Sequence, residues 1–313
     1  MDKSNPKRTQ AIFQALLVTM LWSSSWILIK FTISDIPPLT FAGMRYGFAS
    51  LFLLPGLLKN RTVIQNLSKQ DWQQLILLGI VFYTFTQGGQ FITLKYLPTT
   101  TFSLLLNFSS IFIAIFGIFL LHEKPNLSQW SGIAVFIIGV LLYFTPHPDL
   151  QGEGVGYFFA GFTVLANAFA ALLGRLVNRQ GNLPAGVTTG ISMSIGAILL
   201  LAAGLLTEDF PLLSTTNWVV IWGLASVNTA FAFTLWNKSL QVLSAVESGI
   251  LNNSMLVQIA LLSWIFLEDV LSVRDWISLL IATAGMVMVN LRKGPIKRKT
   301  APARESLSSD QPR

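Results

Sequence analysis

Few residues of this chain could do chemistry, and almost all of them stand in apolar surroundings. Arg45 lies in PLTFAGMRYGFASLFLLPGLL and Trp22 in LWSSSW, while Tyr83, Gln87 and Gln90 recur at helical spacing in VFYTFTQGGQF. Asn107 and Asn253 stand in two further apolar runs, with Asn167, Asn228, Asn252 and Gln258 in comparable settings. Such groups hold a ligand; they do not cut or transfer one. A guanidinium is a permanent cation whose planar fork of donors matches a carboxylate. Indole, phenol and amide side chains add apolar surface and single hydrogen bonds. No catalytic set accompanies them: H-E-x-x-H, P-loop and G-x-S-x-G motifs are missing, and His122 and His147 are too few for a cluster. The glycine-rich stretch at 152–156 opens no helix after a strand, so it is not read as a phosphate loop. Without cysteine there is no disulfide, thiolate metal site or thiol redox switch. Neither an enzyme nor a cofactor nor a bound metal is expected.

What must position these groups is a set of membrane-crossing helices. Of 313 residues, 52% are hydrophobic and only 11% charged, against about 25% charged in a soluble domain. Runs of 23 residues without charge extend over Thr99–Leu121 and Trp72–Leu94, longer than the ~18 apolar residues that mark a candidate spanning helix. In lipid the backbone must satisfy its own hydrogen bonds, so these runs are helices. Ten spans are predicted, over 11–33, 38–58, 72–94, 99–121, 129–144, 154–177, 185–207, 217–236, 245–267 and 275–291. The apolar part of the first is too long for a signal peptide and no A-x-A site follows it. With the N-terminus inside, all but four of the 21 Lys and Arg fall on the cytoplasmic side. Lys95 and Arg274 fall outside, and Lys30 and Arg45 within spans. The net charge of +7 is thereby explained by topology, and no nucleic-acid partner is expected. The expected partners are the lipid bilayer and a small-molecule substrate, in the plasma (inner) membrane with both termini cytoplasmic.

The chain also repeats itself. A shift of 146 sets Leu97–Tyr143 on Leu243–Val289 without a gap, pairing Asn107 with Asn253, Ala114 with Ala260, Trp130 with Trp276 and Gly139 with Gly285. In the same register Ser68 meets Ser214 and Trp72 meets Trp218. Five spans per copy is an odd number, so the second copy enters from the opposite side and the repeat is inverted. The expected fold is all-α, with ten transmembrane helices in two inverted five-helix repeats around a central cavity. The domains are a cytoplasmic segment 1–10, a first repeat 11–145, an external link 146–153, a second repeat 154–291 and a disordered basic tail 292–313.

Polar groups at membrane depth face other helices or water, because lipid cannot satisfy them. Arg45 stands about eight residues into its span, roughly 12 Å from the outer end. Two roles fit it: a cavity cation for an anionic substrate group, or an anchor bonded to backbone and loop groups. Trp22, Tyr83, Gln87, Asn107 and Asn253 complete the candidate substrate-binding set, each also able to serve packing or interhelical bonding. No Asp or Glu lies mid-span, and Glu247 stands at the inner end of the ninth, so a dedicated proton relay is not evident.

LWSSSWILIKF…IPPLTFAGMRY resembles the opening of the EamA-type transporters of the drug/metabolite transporter superfamily. Their first two helices often show Leu-Trp-Gly-Ser, a lysine or similar residue, a proline and then an arginine. These fall here on Leu21, Trp22, Ser23, Ser24, Lys30, Pro38 and Arg45, with Ser23 replacing the glycine. Glu123, Trp130 and Gly132 also resemble the family pattern, and Asp269 replaces the second copy's glutamate. The resemblance implies a basket of ten helices around a central cavity. It also implies export or exchange, by alternating access, of small metabolites such as amino acids. Alternatives are a nucleotide-sugar or phosphate-ester carrier of the same superfamily, or a receptor or scaffold without transport. The former needs a second mid-depth cation near Arg45, for which Lys30 is the candidate.

Overall fold

The computed structural model describes residues 6–32, 36–97, 102, 105–122, 125–144, 154–179, 183–210, 212–266 and 271–290, and among them there is no strand. In chain order the helices are α1 (Pro6–Thr32), α2 (Pro38–Lys59), α3 (Arg61–Gln65), α4 (69–96), α5 (Ser109–Leu120), α6 (Leu127–Phe144) and α7 (Gly154–Arg179). They continue as α8 (Ala185–Thr207), α9 (Thr215–Leu240), α10 (Ala245–Phe266) and α11 (Val273–Asn290). Helix thus occupies each predicted stretch, and α3 is an extra short turn in a polar loop. Six of them (α2, α4, α7, α8, α9 and α10) are long and apolar enough to cross a membrane. Residues 105–120 and 127–143 are apolar but shorter. The link 146–153, the tail 292–313, Glu123 and Asp269 lie outside the described residues.

Local chemistry sets the helix starts, and it too repeats. Ser68 and Asp71 form a capping box on α4, and at the equivalent place Ser214 caps α9 through the Asn217 N–H. Asn126 with Gln129 and Ser272 with Asp275 exchange the same pair of bonds at the starts of α6 and α11. Pro38 occupies the first turn of α2, where its missing N–H costs nothing. The next two amides, of Leu39 and Thr40, donate to the Glu208 carboxylate at 3.0 and 2.7 Å. α1 begins at Pro6, ahead of the apolar run, and the Arg8 guanidinium it carries meets Glu247 at 2.7 Å.

Irregular turns recur at the same register. α4 widens into a π-helix over Gly79–Gln87, and α9 does so over Leu224–Phe231. The helical ladder breaks at Phe108 ahead of α5 and at Ser254 within α10, 146 residues apart. π turns and breaks of this kind expose backbone groups and gather at functional sites.

The two copies meet through reciprocal contacts. A Cβ on Gly139 would lie 2.8 Å from Ala282 Cα and 2.9 Å from the Ser278 carbonyl. One on Gly285 would lie 2.7 Å from Phe136 Cα and 2.7 Å from the Gly132 carbonyl. The shift of 146 turns the first pair of contacts into the second, so the interface is isologous, as across a two-fold axis. Rising residue numbers on α6 meet falling numbers on α11, so the equivalent helices run antiparallel. α2 and α8, also equivalent, do the same: Gly43 abuts Leu201 and Gly190 abuts Leu57. Small residues are required at such seams because in lipid helices associate by close packing, without a hydrophobic drive.

Gly139→Leu should therefore force α6 and α11 apart, at a cost of about 1–3 kcal/mol or more. Thermal unfolding of purified protein in detergent would show a lowered midpoint. Gly161→Leu, where nothing lies within 4 Å of an added Cβ, should leave the midpoint unchanged.

Candidate functional site

Arg45 is 6% exposed, in a polar cluster drawn from both copies. Its Nε donates to Thr229 Oγ1 at 2.8 Å, and Nη2 donates to Ser25 Oγ and the Asn228 carbonyl, both at 3.4 Å. Asn228 in turn donates through Nδ2 to Ser25 Oγ at 2.9 Å, to Ser24 Oγ at 3.1 Å and to the Leu21 carbonyl. Asn228 and Thr229 stand on the π turns of α9. All three acceptors of Arg45 are neutral. Among the described residues the one ion pair joins Arg8 to Glu247, at the end of the bundle where α1 begins. Arg45 is thus a buried cation without a described counter-charge, and the bonds described leave Nη1 without a protein acceptor. Lys30, the other cation considered for this depth, has its side chain outside the described residues.

Beside this cluster the bundle is aromatic. The Arg45 guanidinium carbon stands 5.9 Å from the Tyr46 ring centre. Tyr46 meets Tyr83 edge-on at 5.6 Å and Phe233 at 5.9 Å, and Phe233 meets Trp22 at 4.7 Å. Tyr83 is fully enclosed; Gly196 on α8 makes room for its Cβ. Neither the Trp22 Nε1–H nor the Tyr83 hydroxyl has a well-formed bond, although both are buried. Ser192 faces the Tyr83 hydroxyl, but its own hydroxyl donates to the Thr188 carbonyl at 2.6 Å. Buried polar atoms are rarely left without a partner, and each exception calls for a reason.

An open cavity is expected from the sequence at this depth, and here the described structure corrects that expectation. The rings of Trp22, Tyr46, Phe82, Tyr83 and Phe233 interlock and fill the space between α1, α2, α4 and α9. Among the described residues the centre beside Arg45 is packed with rings in this conformation. A recess of about 510 Å³ opens instead at the end of the bundle opposite Arg8, lined by Pro37, Pro38, Phe91, Lys95, Thr207, Glu208 and Asp209. A second, of about 340 Å³, lies between α2 and α9.

The other candidates divide among three places. Gln87, half-buried, closes the π segment that carries Tyr83. Asn107 and Asn253 meet each other away from Arg45, on the turn before α5 and on α10 respectively. Ile111 N–H donates to Phe108 O at the break, and the Asn107 carbonyl instead accepts from Ser110 Oγ at 2.9 Å and Asn253 Nδ2 at 3.0 Å. Asn253 therefore bridges the two copies across their two-fold relation. Gln258 belongs to a third group, bonding Ser23 and Thr19 of α1 at 3.0 and 2.9 Å. Thr229, the closest partner of Arg45, was not singled out by the residue pattern. A lone threonine in the apolar stretch GLASVNTAF gives no signal; only the widened turn aims it at Arg45.

Comparison with known proteins follows the same division of the chain. The model of the EamA-like transporter family matches residues 9–145 and again 154–291. An uncharacterized transporter of Bacillus subtilis, YoaV, is 24% identical over 87% of this chain and 93% of its own. A probable amino-acid metabolite efflux pump of Salmonella typhimurium is 26% identical over 73% and 77%. The S-adenosylmethionine/S-adenosylhomocysteine transporter of Chlamydia muridarum is 25% identical over 83% and 85%. A crystal structure with a TM-score of 0.75 and 18% identity covers 91% of this chain and 96% of that one, and shares the fold. With both repeats matched in full register, the chain belongs to the EamA-like transporter family of the drug/metabolite transporter superfamily.

Proposed function

We propose that this protein exports a small carboxylate-bearing metabolite, of the amino-acid type, by alternating access across the plasma membrane. Ten spans with both termini cytoplasmic carry the chain through the bilayer, and the antiparallel halves exchange inner and outer openings. The observation that carries this reading is Arg45. A buried guanidinium bonded only to neutral groups lacks the anion that would offset its desolvation, and a substrate carboxylate at Nη1 supplies one. The rings of Trp22, Tyr46 and Tyr83 beside it would hold the apolar body of such a substrate. The Trp22 Nε1–H and the Tyr83 hydroxyl, neither with a well-formed bond in this conformation, would bond its polar atoms once the rings part. Gln87 lies about one turn beyond Tyr83 on the same helix and would extend the binding surface. Asn107 and Asn253 hold the two halves together at the seam between them. The efflux pump and the S-adenosylmethionine/S-adenosylhomocysteine transporter among its relatives support transport of small metabolites.

A comparison of secreted metabolites between cells that express the protein and cells that lack it tests this directly. An excess of one or more amino acids or related carboxylates is expected outside the expressing cells. Arg45→Ala should lower that efflux roughly 10- to 100-fold, the value of about 1.5–3 kcal/mol for a charged hydrogen bond. Arg45→Lys should be intermediate, since it keeps charge but not the fork. Unchanged efflux with normal membrane abundance would refute the substrate role, and lost abundance would favour the anchor.

Tyr83→Phe gives an independent check. Its hydroxyl has no well-formed bond in the closed form, so removal should leave the thermal midpoint unchanged or slightly raised. If the hydroxyl bonds substrate, the same change should lower efflux several-fold, by about 1 kcal/mol.

Compartment-sensitive reporters fused to each terminus test the topology. Both should report the cytoplasm, and an external signal from either contradicts ten spans.

A further inference from the structure

We propose that Arg8 and Glu247 form a latch that holds the cytoplasmic end shut and biases the carrier toward its outward-open form. This rests on the alternating-access reading above. Arg8, near the start of α1, reaches across 239 positions of sequence to Glu247 on the first turn of α10, Nη2 to Oε1 at 2.7 Å. Glu247 is 1% exposed. Its second oxygen accepts the Ser244 N–H at 2.8 Å, completing a capping box on α10. Two more cations fasten the same end: Arg175 donates to the Leu240 carbonyl at 2.6 Å, and Arg179 donates to the Leu121 carbonyl at 2.9 Å. At the opposite end the recess beside Lys95 and Glu208 stands open. Among the described residues the ion pair stands at the closed end.

The duplication makes this asymmetry informative. In an inverted repeat, the second conformation arises when each half adopts the arrangement of the other, so every inner contact has an outer counterpart. The shift of 146 takes Arg8 to Gly154 and Glu247 to Thr101. It takes Arg175 to Ile29 and Arg179 to Ile33. No cation or carboxylate stands at any of the four matching positions. The inward-open form would therefore lose these inner fasteners and gain no charged pair at the symmetry-matched outer positions in exchange. The geometry of Glu247 also suits a contact that must break and re-form. The capping box still holds the carboxylate after Arg8 leaves, so opening does not leave it without hydrogen bonds. Arg8, near the beginning of its helix, can pass into water. A ligand or condition that moves the carrier inward must outweigh the pair, which sets the resting preference.

Because the chain has no cysteine, single introduced cysteines report access cleanly. Ser254→Cys, two turns beyond Glu247 between α10 and α1, reports the inner side; Ser254 is 2% exposed and faces Thr19. Thr207→Cys, on the rim of the outer recess, reports the other. Each is placed in the full-length protein in membrane vesicles of either orientation, and labelling by an impermeant maleimide is timed. Arg8→Gln and Glu247→Gln should each speed labelling at Ser254→Cys, about tenfold for a shift of 1.4 kcal/mol. Each should slow labelling at Thr207→Cys, and the double variant should add little. Gln at 247 keeps the capping bond, so helix α10 is preserved. If neither reporter responds, or if only one of the two variants has an effect, the latch is refuted. If both reporters speed up together, the pair is merely a structural fastener and the proposal fails. The readout needs no substrate, so it stands apart from the efflux comparison that tests the carrier itself.

Discussion

Everything in this molecule depends on how closely two antiparallel halves can approach. In a bilayer the tails of lipid are as apolar as leucine, so helices gain little from simply hiding apolar surface. They gain from contact, and contact between backbones is possible only where side chains end at hydrogen. Gly132 and Gly139 on α6, with Gly285 on α11, give that contact on one side of the molecule. Gly43, Gly190 and Gly204 give it between α2 and α8. Each seam joins a helix to its own duplicate. A gene duplication alone would not require this. Between α6 and α11 the equivalent glycines, Gly139 and Gly285, read in opposite directions, serve both sides of one interface.

That frame leaves its central helices free to be irregular. α6 and α11 pair over their whole length, with regular turns and matching caps. α4 and α9, by contrast, carry π turns at matching places, and the ladder breaks ahead of α5 and within α10. These are the helices that bear Tyr83, Gln87, Asn228, Thr229, Asn107 and Asn253. Widened turns cost hydrogen-bond quality, which an idle helix would not retain. They redirect side chains that a regular helix would send to lipid or into a neighbour. Thr229 is held this way: its hydroxyl bonds back to the Leu224 carbonyl five residues earlier at 2.9 Å and receives the Arg45 Nε–H.

Much of this was legible in the chain, and the parts that were not share a cause. The duplication could be read because Trp, Asn and Gly are rare enough in apolar sequence for a constant register to stand out. Helix positions could be read because charge-free runs admit no other spanning structure. Arg45, Trp22 and Tyr83 could be marked because a polar or amphipathic group at mid-depth needs a reason. Their partners could not. Thr229 stands 184 positions from Arg45 and Glu247 stands 239 from Arg8, and neither pairing leaves a local pattern. The π turns left none either, since VFYTFTQ and ASVNTAF read as ordinary helix. The closed centre was missed for a physical reason as well. Hydropathy locates aromatic residues in depth but cannot show whether five rings stand apart around a cavity or interlock.

The interlocked rings bear on how such a protein can be both sealed and specific. A membrane carrier must never offer a continuous water path, yet it must hold a polar ligand halfway through. An aromatic plug meets the first demand, because stacked rings exclude water without needing hydrogen bonds. Two of these rings nonetheless carry donors with no well-formed partner, and a third, Tyr46, lies beside a cation with no described counter-charge. Each is unfavourable in a permanently dry core. On the function proposed above, a ligand with a carboxylate and an apolar body would supply these missing partners by separating the rings. On that proposal, specificity would come from what the unliganded protein leaves unsatisfied. A ligand lacking the carboxylate would part the rings and leave Arg45 as it was, gaining nothing for the separation.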